Sequence, residues 1–227
     1  MSRCPSITGR VTTRPAGNLS LPSEVTWVQP WGSRAYIASF QAATLKLKTP
    51  YSVDGRTILG RTLTVTDGKF KPSTATVSYQ WLRNGVPIPG ATGVSYIVAT
   101  DDVAQLLGVV VTGSVPGVEP ISQTISLTNP VRSVPVCSVR TQRKKGGKVI
   151  VHFEVDAPGI LEPDGSVVIK VGPHQRTVTL KKGKAIARFV DVDPGRYRVR
   201  CQYAGGTLVV AGKVRDWVRV PGKGPNA

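Results

Sequence analysis

The sequence predicts an all-β protein: two β-sandwich domains in tandem, preceded by an extended N-terminal arm. Three observations predict it. The 24 glycines and 18 prolines among 227 residues mark frequent turns and lack the strict period of collagen. Between those turns, short runs alternate apolar and polar residues with the period of two that a half-buried strand requires. No segment reads as a long helix. The length suits two domains of ordinary sandwich size, and the patterns place an arm at 1–40, a first domain at 41–130, a linker at 131–136 and a second domain at 137–227.

In the arm, proline and glycine interrupt any periodicity, yet Trp27 and Trp31 stand close together with Tyr36 and Phe40. Such rings are too apolar for a solvated tail. Two readings follow: a lid packed on the first domain, or an arm that docks on a partner.

In the first domain RTLTVTDG puts Leu63 and Val65 on one face and ends at Asp67-Gly68. In SYQWLRNGVPIPGAT, Val77, Tyr79 and Trp81 share a face opposite Ser78 and Gln80, so the indole is aimed at the core together with Tyr79. Asn84-Gly85 is the pair that a type I′ hairpin turn favours, because both central residues need positive φ. DDVAQLLG predicts a corner of at most two helical turns, capped by Asp101 or Asp102. NPVRSVPV, with two prolines in eight residues, predicts a short stiff linker.

Beyond it the pattern restarts. KVIVHFEV places Val149, Val151, Phe153 and Val155 on one face, and SVVIKVG places Val167, Ile169 and Val171 likewise. GRYRVRCQY buries Tyr197 and Val199 and turns Arg196, Arg198 and Arg200 outward. About seven strands complete this half, with turns at Pro163-Asp164-Gly165, Lys182-Gly183 and Pro194-Gly195.

The run from Gly60 to Gly113 resembles the bacterial immunoglobulin-like (Ig-like) repeat of secreted actinobacterial proteins and of tailed phages of those hosts. Gly60, Leu63, Tyr79, Trp81, Asn84, Gly85, Gly90, Ala91, Thr92, Tyr96 and Gly113 fall on its pattern, and the resemblance adds Tyr96 to the core. The corner departs from it, with Val-Ala-Gln-Leu-Leu between Asp102 and Gly108. The second half is similar to another bacterial Ig-like type in its Gly-x-V strand at 165–171, its L-x-x-G-x-A stretch at 180–185 and its P-G-x-Y strand from Pro194. A tandem pair behind an unmatched arm looks like an accessory virion protein, either capsid decoration or a minor tail protein. The resemblance implies a non-enzymatic protein made in the host cytoplasm and carried on the virion, with capsid or tail proteins as partners. It is compatible with a homo-oligomer or symmetric array on the particle. The alternative is a secreted or cell-surface Ig-like adhesion or glycan-binding module of an actinobacterium.

Charge supplies the candidate surface. The net charge is +17, divided as 12 basic and 6 acidic residues in 1–135 against 18 and 7 in 136–227. The shorter second half is therefore the expected point of contact with an acidic partner. Candidate contact residues are Arg196, Arg198, Arg200, Lys181, Lys182, Lys184 and Arg188, together with Trp27 and Trp31 of the arm; Lys213, Arg215 and Arg219 come from the last strand. The same charges also suit a merely soluble face. Nucleic acid is disfavoured on the expectation that no aromatic residue shares the arginine face. A host-surface glycan stacked on Trp27, Trp31 or Trp217 is a third use.

Other chemistry finds little support. Two histidines, His152 and His174, and three cysteines at 4, 137 and 201 fit no metal spacing or nucleophile motif, so no catalytic residue, metal or cofactor is expected. A Cys137–Cys201 bridge is left open. The carboxylate pairs Asp101-Asp102, Glu154 with Asp156 and Asp191 with Asp193 read as a cap, a strand face and a turn. No apolar run reaches the length of a membrane span, and the N-terminus lacks the apolar stretch of a signal peptide.

Overall fold

Strands follow one another along the whole described length, residues 44–221 and the short segments Val25–Thr26 and Ile37–Ala38, in a computed structural model of the chain. The chain divides into two units, Met1–Thr44 and Leu45–Ala227. In the first, Val25–Thr26 (β1) pairs antiparallel with Ile37–Ala38 (β2). Trp27 and Trp31 lie outside the described residues.

The second unit opens with Lys46–Thr49 (β3), Ser52–Asp54 (β4), Thr62–Thr66 (β5), Lys69–Lys71 (β6), Thr76–Arg83 (β7), Val86–Pro87 (β8), Ser95–Ile97 (β9), Leu107–Val115 (β10) and Val118–Ser126 (β11). The sheets are β11-β10-β7-β8 and β4-β5-β9, with a β3-β6 pair beside them. Leu63 and Val65 from one sheet and Trp81, Val109 and Val111 from the other are buried in a single cluster. The indole expected at the centre is there. Trp81 is wholly buried, and its Nε1–H donates to the Gly93 carbonyl at 2.9 Å, the partner a buried indole requires. Tyr96 stacks on it at 5.6 Å. Tyr79 and Tyr96 are only half-buried, because a phenol must keep its hydroxyl in reach of water or a partner.

The hairpin turn has Asn84 at φ 49° and Gly85 at φ 80°, as type I′ demands. The Asn84 side chain also accepts from Leu106 N–H at 2.9 Å and donates to Gln105, which ties the turn to the corner loop.

That corner differs from the sequence expectation. Only Thr100–Asp102 is helical, as a 3-10 turn. The chain then extends at Val103 (φ −58°, ψ 133°) and takes φ 66° at Ala104, which ends any helix. Asp102 is fully buried and accepts from Arg83 Nε at 2.7 Å, Tyr96 OH at 2.7 Å and Ala99 N–H at 2.8 Å. One bond is local, as in a cap. The other two reach a neighbouring strand and the core tyrosine, so the carboxylate closes a tertiary network.

The second half contributes Val136–Lys144 (β12), Lys148–Asp156 (β13), Ser166–Val171 (β14), His174–Thr179 (β15), Lys184–Phe189 (β16), Gly195–Tyr203 (β17) and Gly212–Val220 (β18). Sheet β12-β13-β16 faces sheet β15-β14-β17-β18. Val149, Val151, Phe153, Val155, Val167, Ile169, Val171 and Val199 are all buried between them, as the alternation predicts. Tyr197 is half-buried at the edge of this cluster. Three strands against four, all antiparallel, make each half an Ig-like sandwich.

Residues 131–133 are bonded to both halves. Val131 and Arg132 bridge to Val103 and Ile58 of the first sandwich, and Ser133 to Val209 of the second. Arg132 Nη2 donates to the Gly206 and Val209 carbonyls at 3.0 and 2.6 Å, and Ser133 Oγ donates to the Pro158 carbonyl at 2.7 Å. Ile160 packs against both clusters. The prolines are the sequence's reason to expect stiffness here; the structure adds these bonds to both halves.

Cys137 and Cys201 are free thiols. Burial, with smaller contributions from Cys137 and Asp216, pushes the Cys201 thiol from 9.0 up to about 12. Burial and the Asp102 hydrogen bond push Tyr96 from 10.0 up to about 12. Both groups are held neutral by the fold, so the stability they contribute is complete below their unfolded values and is lost as pH rises through the folded ones. Alkaline denaturation is expected to steepen between pH 9 and about 12. In urea titrations across that range, Tyr96→Phe is expected to flatten the part above pH 10; an unchanged slope would show that Tyr96 titrates as it does in the unfolded chain.

Candidate functional site

The outer face of sheet β15-β14-β17-β18 is set by strand register. Across β17 and β18, Arg196 stands opposite Arg219, Arg198 opposite Trp217, Arg200 opposite Arg215 and Gln202 opposite Lys213. On the other side Lys170 of β14 stands opposite Arg200, and Gln175 of β15 opposite Lys170. Seven cations thus share one face, five of them arginines, and no carboxylate side chain belongs to it. The only acidic residue of β18, Asp216, points the other way, with Thr141 Oγ1 donating to its Oδ2 at 3.2 Å. Among the described residues none of the seven is in an ion pair; the pairs found are Arg83–Asp102, Lys182–Glu162 and Lys184–Glu154.

An aromatic ring lies among these cations, contrary to the sequence expectation of an arginine face without one. Trp217 is 50% exposed, and the guanidinium carbons of Arg196 and Arg198 lie over its ring at 4.7 and 5.4 Å from the centroid. The negative π face offsets part of the repulsion between two like charges. Strand alternation could have placed Trp217 outward, since Val218 and Val220 are its buried neighbours. Only the pairing of β17 with β18 puts it beside the arginines. A shallow groove of about 950 Å³ runs from this ring over Arg196, Arg219, Pro194 and Pro221 to Arg143 of β12. Sequence reasoning passed over Arg143, whose signal was the basic run Arg143, Lys144, Lys145 and Lys148 around the β12–β13 turn.

The remaining candidates are elsewhere. Lys184 and Arg188 belong to β16, which pairs with β13 in the opposite sheet, Glu154 against Lys184 and Ile150 against Arg188. Lys181 and Lys182 sit in the turn before it, Lys182 at φ 51°. Nearness in chain order does not make them part of the arginine face, because the β15–β16 connection crosses from one sheet to the other. Lys184 and Lys182 each have a partner, Glu154 at 3.3 Å and Glu162 at 3.1 Å, whereas the arginine face has none.

His152 lies on that opposite outer face, in a groove of about 410 Å³ with Ser138, Arg140, Glu154 and Lys184. Its Nε2 is buried without a hydrogen-bond partner, so it makes no contact there with the Ser138 hydroxyl of the kind a nucleophile and base share. His174 packs its ring 6.4 Å from Phe189. No group of three or more His, Cys, Asp or Glu that could hold a metal occurs among the described residues. No helix among them is long and apolar enough to cross a membrane.

No protein-family model matches the chain, and no curated protein matches it. Among solved structures it is similar to a two fibronectin type-III domain segment from chicken tenascin, at 13% identity and TM-score 0.44, over 77% of this chain and 100% of that one. It is similar also to a cytokine receptor complex, at 17% identity and TM-score 0.40, over 78% of this chain and 98% of that one.

Proposed function

We propose that this is a non-enzymatic accessory protein of a tailed-phage virion, a capsid decoration or minor tail protein, that attaches to an acidic particle surface through its second sandwich. The observation that carries the reading is the outer face of β14, β17 and β18, with seven cations and no carboxylate. A face meant only for solubility usually intersperses both signs. Guanidinium forks without an ion-pair partner among the described residues can grip carboxylates by paired hydrogen bonds. The Ig-like repeat resemblance of residues 60–113 supports a phage particle as the surface, reached after synthesis in the host cytoplasm. The arm, with Trp27 and Trp31, would be a second anchor.

The test is co-sedimentation with particles. Reversing Arg196, Arg198 and Arg200 to Glu is expected to weaken attachment at least about tenfold and to make the remainder insensitive to salt. Attachment unchanged by the triple reversal would return this face to solubility. Deleting residues 1–40 tests the arm in the same assay, and full retention would remove it as an anchor. A second reading, a secreted or cell-surface adhesion or glycan-binding module, is favoured by one observation: the half-exposed Trp217 in its groove. Under that reading the protein would fail to sediment with particles and would instead be retained on cell-wall glycan.

A further inference from the structure

Resting on the reading of this face as the attachment surface, we propose that its ligand is an extended acidic peptide segment of a partner protein, lying along β17 with carboxylates on alternate residues.

Spacing is the first argument. Arg196, Arg198 and Arg200 follow one another at every second residue of one strand, an interval of ~6.8 Å. An extended peptide presents alternate side chains at that same interval, so successive carboxylates meet successive guanidiniums without a change of register. Across the strand pair, Arg219 and Arg215 stand opposite Arg196 and Arg200, with Cβ atoms ~4.5–5.5 Å apart. A carboxylate above either pair therefore sits between two cations. At the middle position the partner of Arg198 is Trp217.

The indole supplies the second argument. Both Arg196 and Arg198 lie over its ring, so the ring is engaged with protein cations, and an incoming ligand meets two guanidiniums there. That favours a planar oxyanion, which accepts two parallel hydrogen bonds from one fork. A nucleobase or sugar ring stacking on the half-exposed indole would instead have to share it with two guanidiniums. Trp217 is thus a positioning residue: it holds two guanidiniums close together despite their like charge. The groove beyond it, walled by Pro194 and Pro221 and ending at Arg143, would seat one apolar residue and one further carboxylate of the same segment.

Binding of fluorescent synthetic peptides to the full chain tests this. A ~13-residue serine peptide carrying five glutamates at every second residue is expected to bind about tenfold more tightly than one of equal length and charge with its glutamates at every third residue, where successive carboxylates point to opposite sides. Arg196→Lys with Arg198→Lys keeps the charge and loses the fork, and is expected to remove most of that preference. Trp217→Leu is expected to remove it as well; because the ring is half-exposed, thermal unfolding should show the variant folded. Equal binding of the two peptides overturns the proposal. So does a preference for oligothymidylate or a sulfated oligosaccharide of equal charge. If the peptides are bound equally while the Arg196, Arg198 and Arg200 reversal still abolishes particle attachment, the ligand class falls and the attachment face stands.

Discussion

Replacing Asp102 with alanine is expected to cost about 2–4 kcal/mol of stability, because each donor left without its acceptor costs ~1–3 kcal/mol where water cannot replace the bond. The carboxylate is fully buried and accepts three hydrogen bonds, from Arg83, Tyr96 and the Ala99 amide. Its loss leaves the Tyr96 hydroxyl and the Ala99 N–H without their acceptor beside the Trp81 ring. Arg83 suffers less, since 31% of its side chain is exposed and can find water. Urea denaturation followed through Trp81 measures the effect. Tyr96→Phe, which removes one bond of the three, should cost about 0.5–1.5 kcal/mol. If Asp102→Ala costs no more than that, the network behaves as a solvated surface pair and does not hold the corner.

Gly159→Val is expected to cost about 2–4 kcal/mol and to divide one unfolding transition into two. Gly159 has φ +78°, where a residue with a Cβ is strained by ~1–2 kcal/mol. A Cβ there would come within 2.9 Å of Val103 Cβ in the first sandwich, and overpacking adds ~1–3 kcal/mol. The clash falls where Ile160, Arg132 and Ser133 hold the halves together, so it should separate them before it unfolds either. Calorimetry would show a single endotherm for the parent chain and two for the variant. Two endotherms in the parent would mean that these bonds are too weak to couple the sandwiches.

Much of this was legible in the residues. Trp81, the Asn84-Gly85 turn and the buried rows Val149 to Val155 and Val167 to Val171 were readable because each depends on neighbours one to four residues away. Strand alternation also separates Arg196, Arg198 and Arg200 from Val199 and Cys201 without reference to any other strand. Asp102 was legible as a cap, which its bond from the Ala99 amide makes it, but the partners that also make it a buried anchor come from β7 and β9. Trp217 was hidden for a related reason: its alternation with Val218 says that it points outward, but not toward which neighbour.

What the sequence determined by itself, then, was period and turn: an all-β chain, two β-sandwiches, and the side of each strand that carries charge. Those follow from local sterics and from the two-residue repeat, which act before any long-range contact forms. Tertiary structure alone decided which strands lie side by side. It placed Lys184 and Arg188 on the sheet opposite the arginine row, brought Trp217 against Arg196 and Arg198, and bonded residues 131–133 to both halves. Pairing register and sheet membership join residues far apart in the chain, and burial of each sandwich's apolar faces selects among pairings that the local pattern leaves equally open.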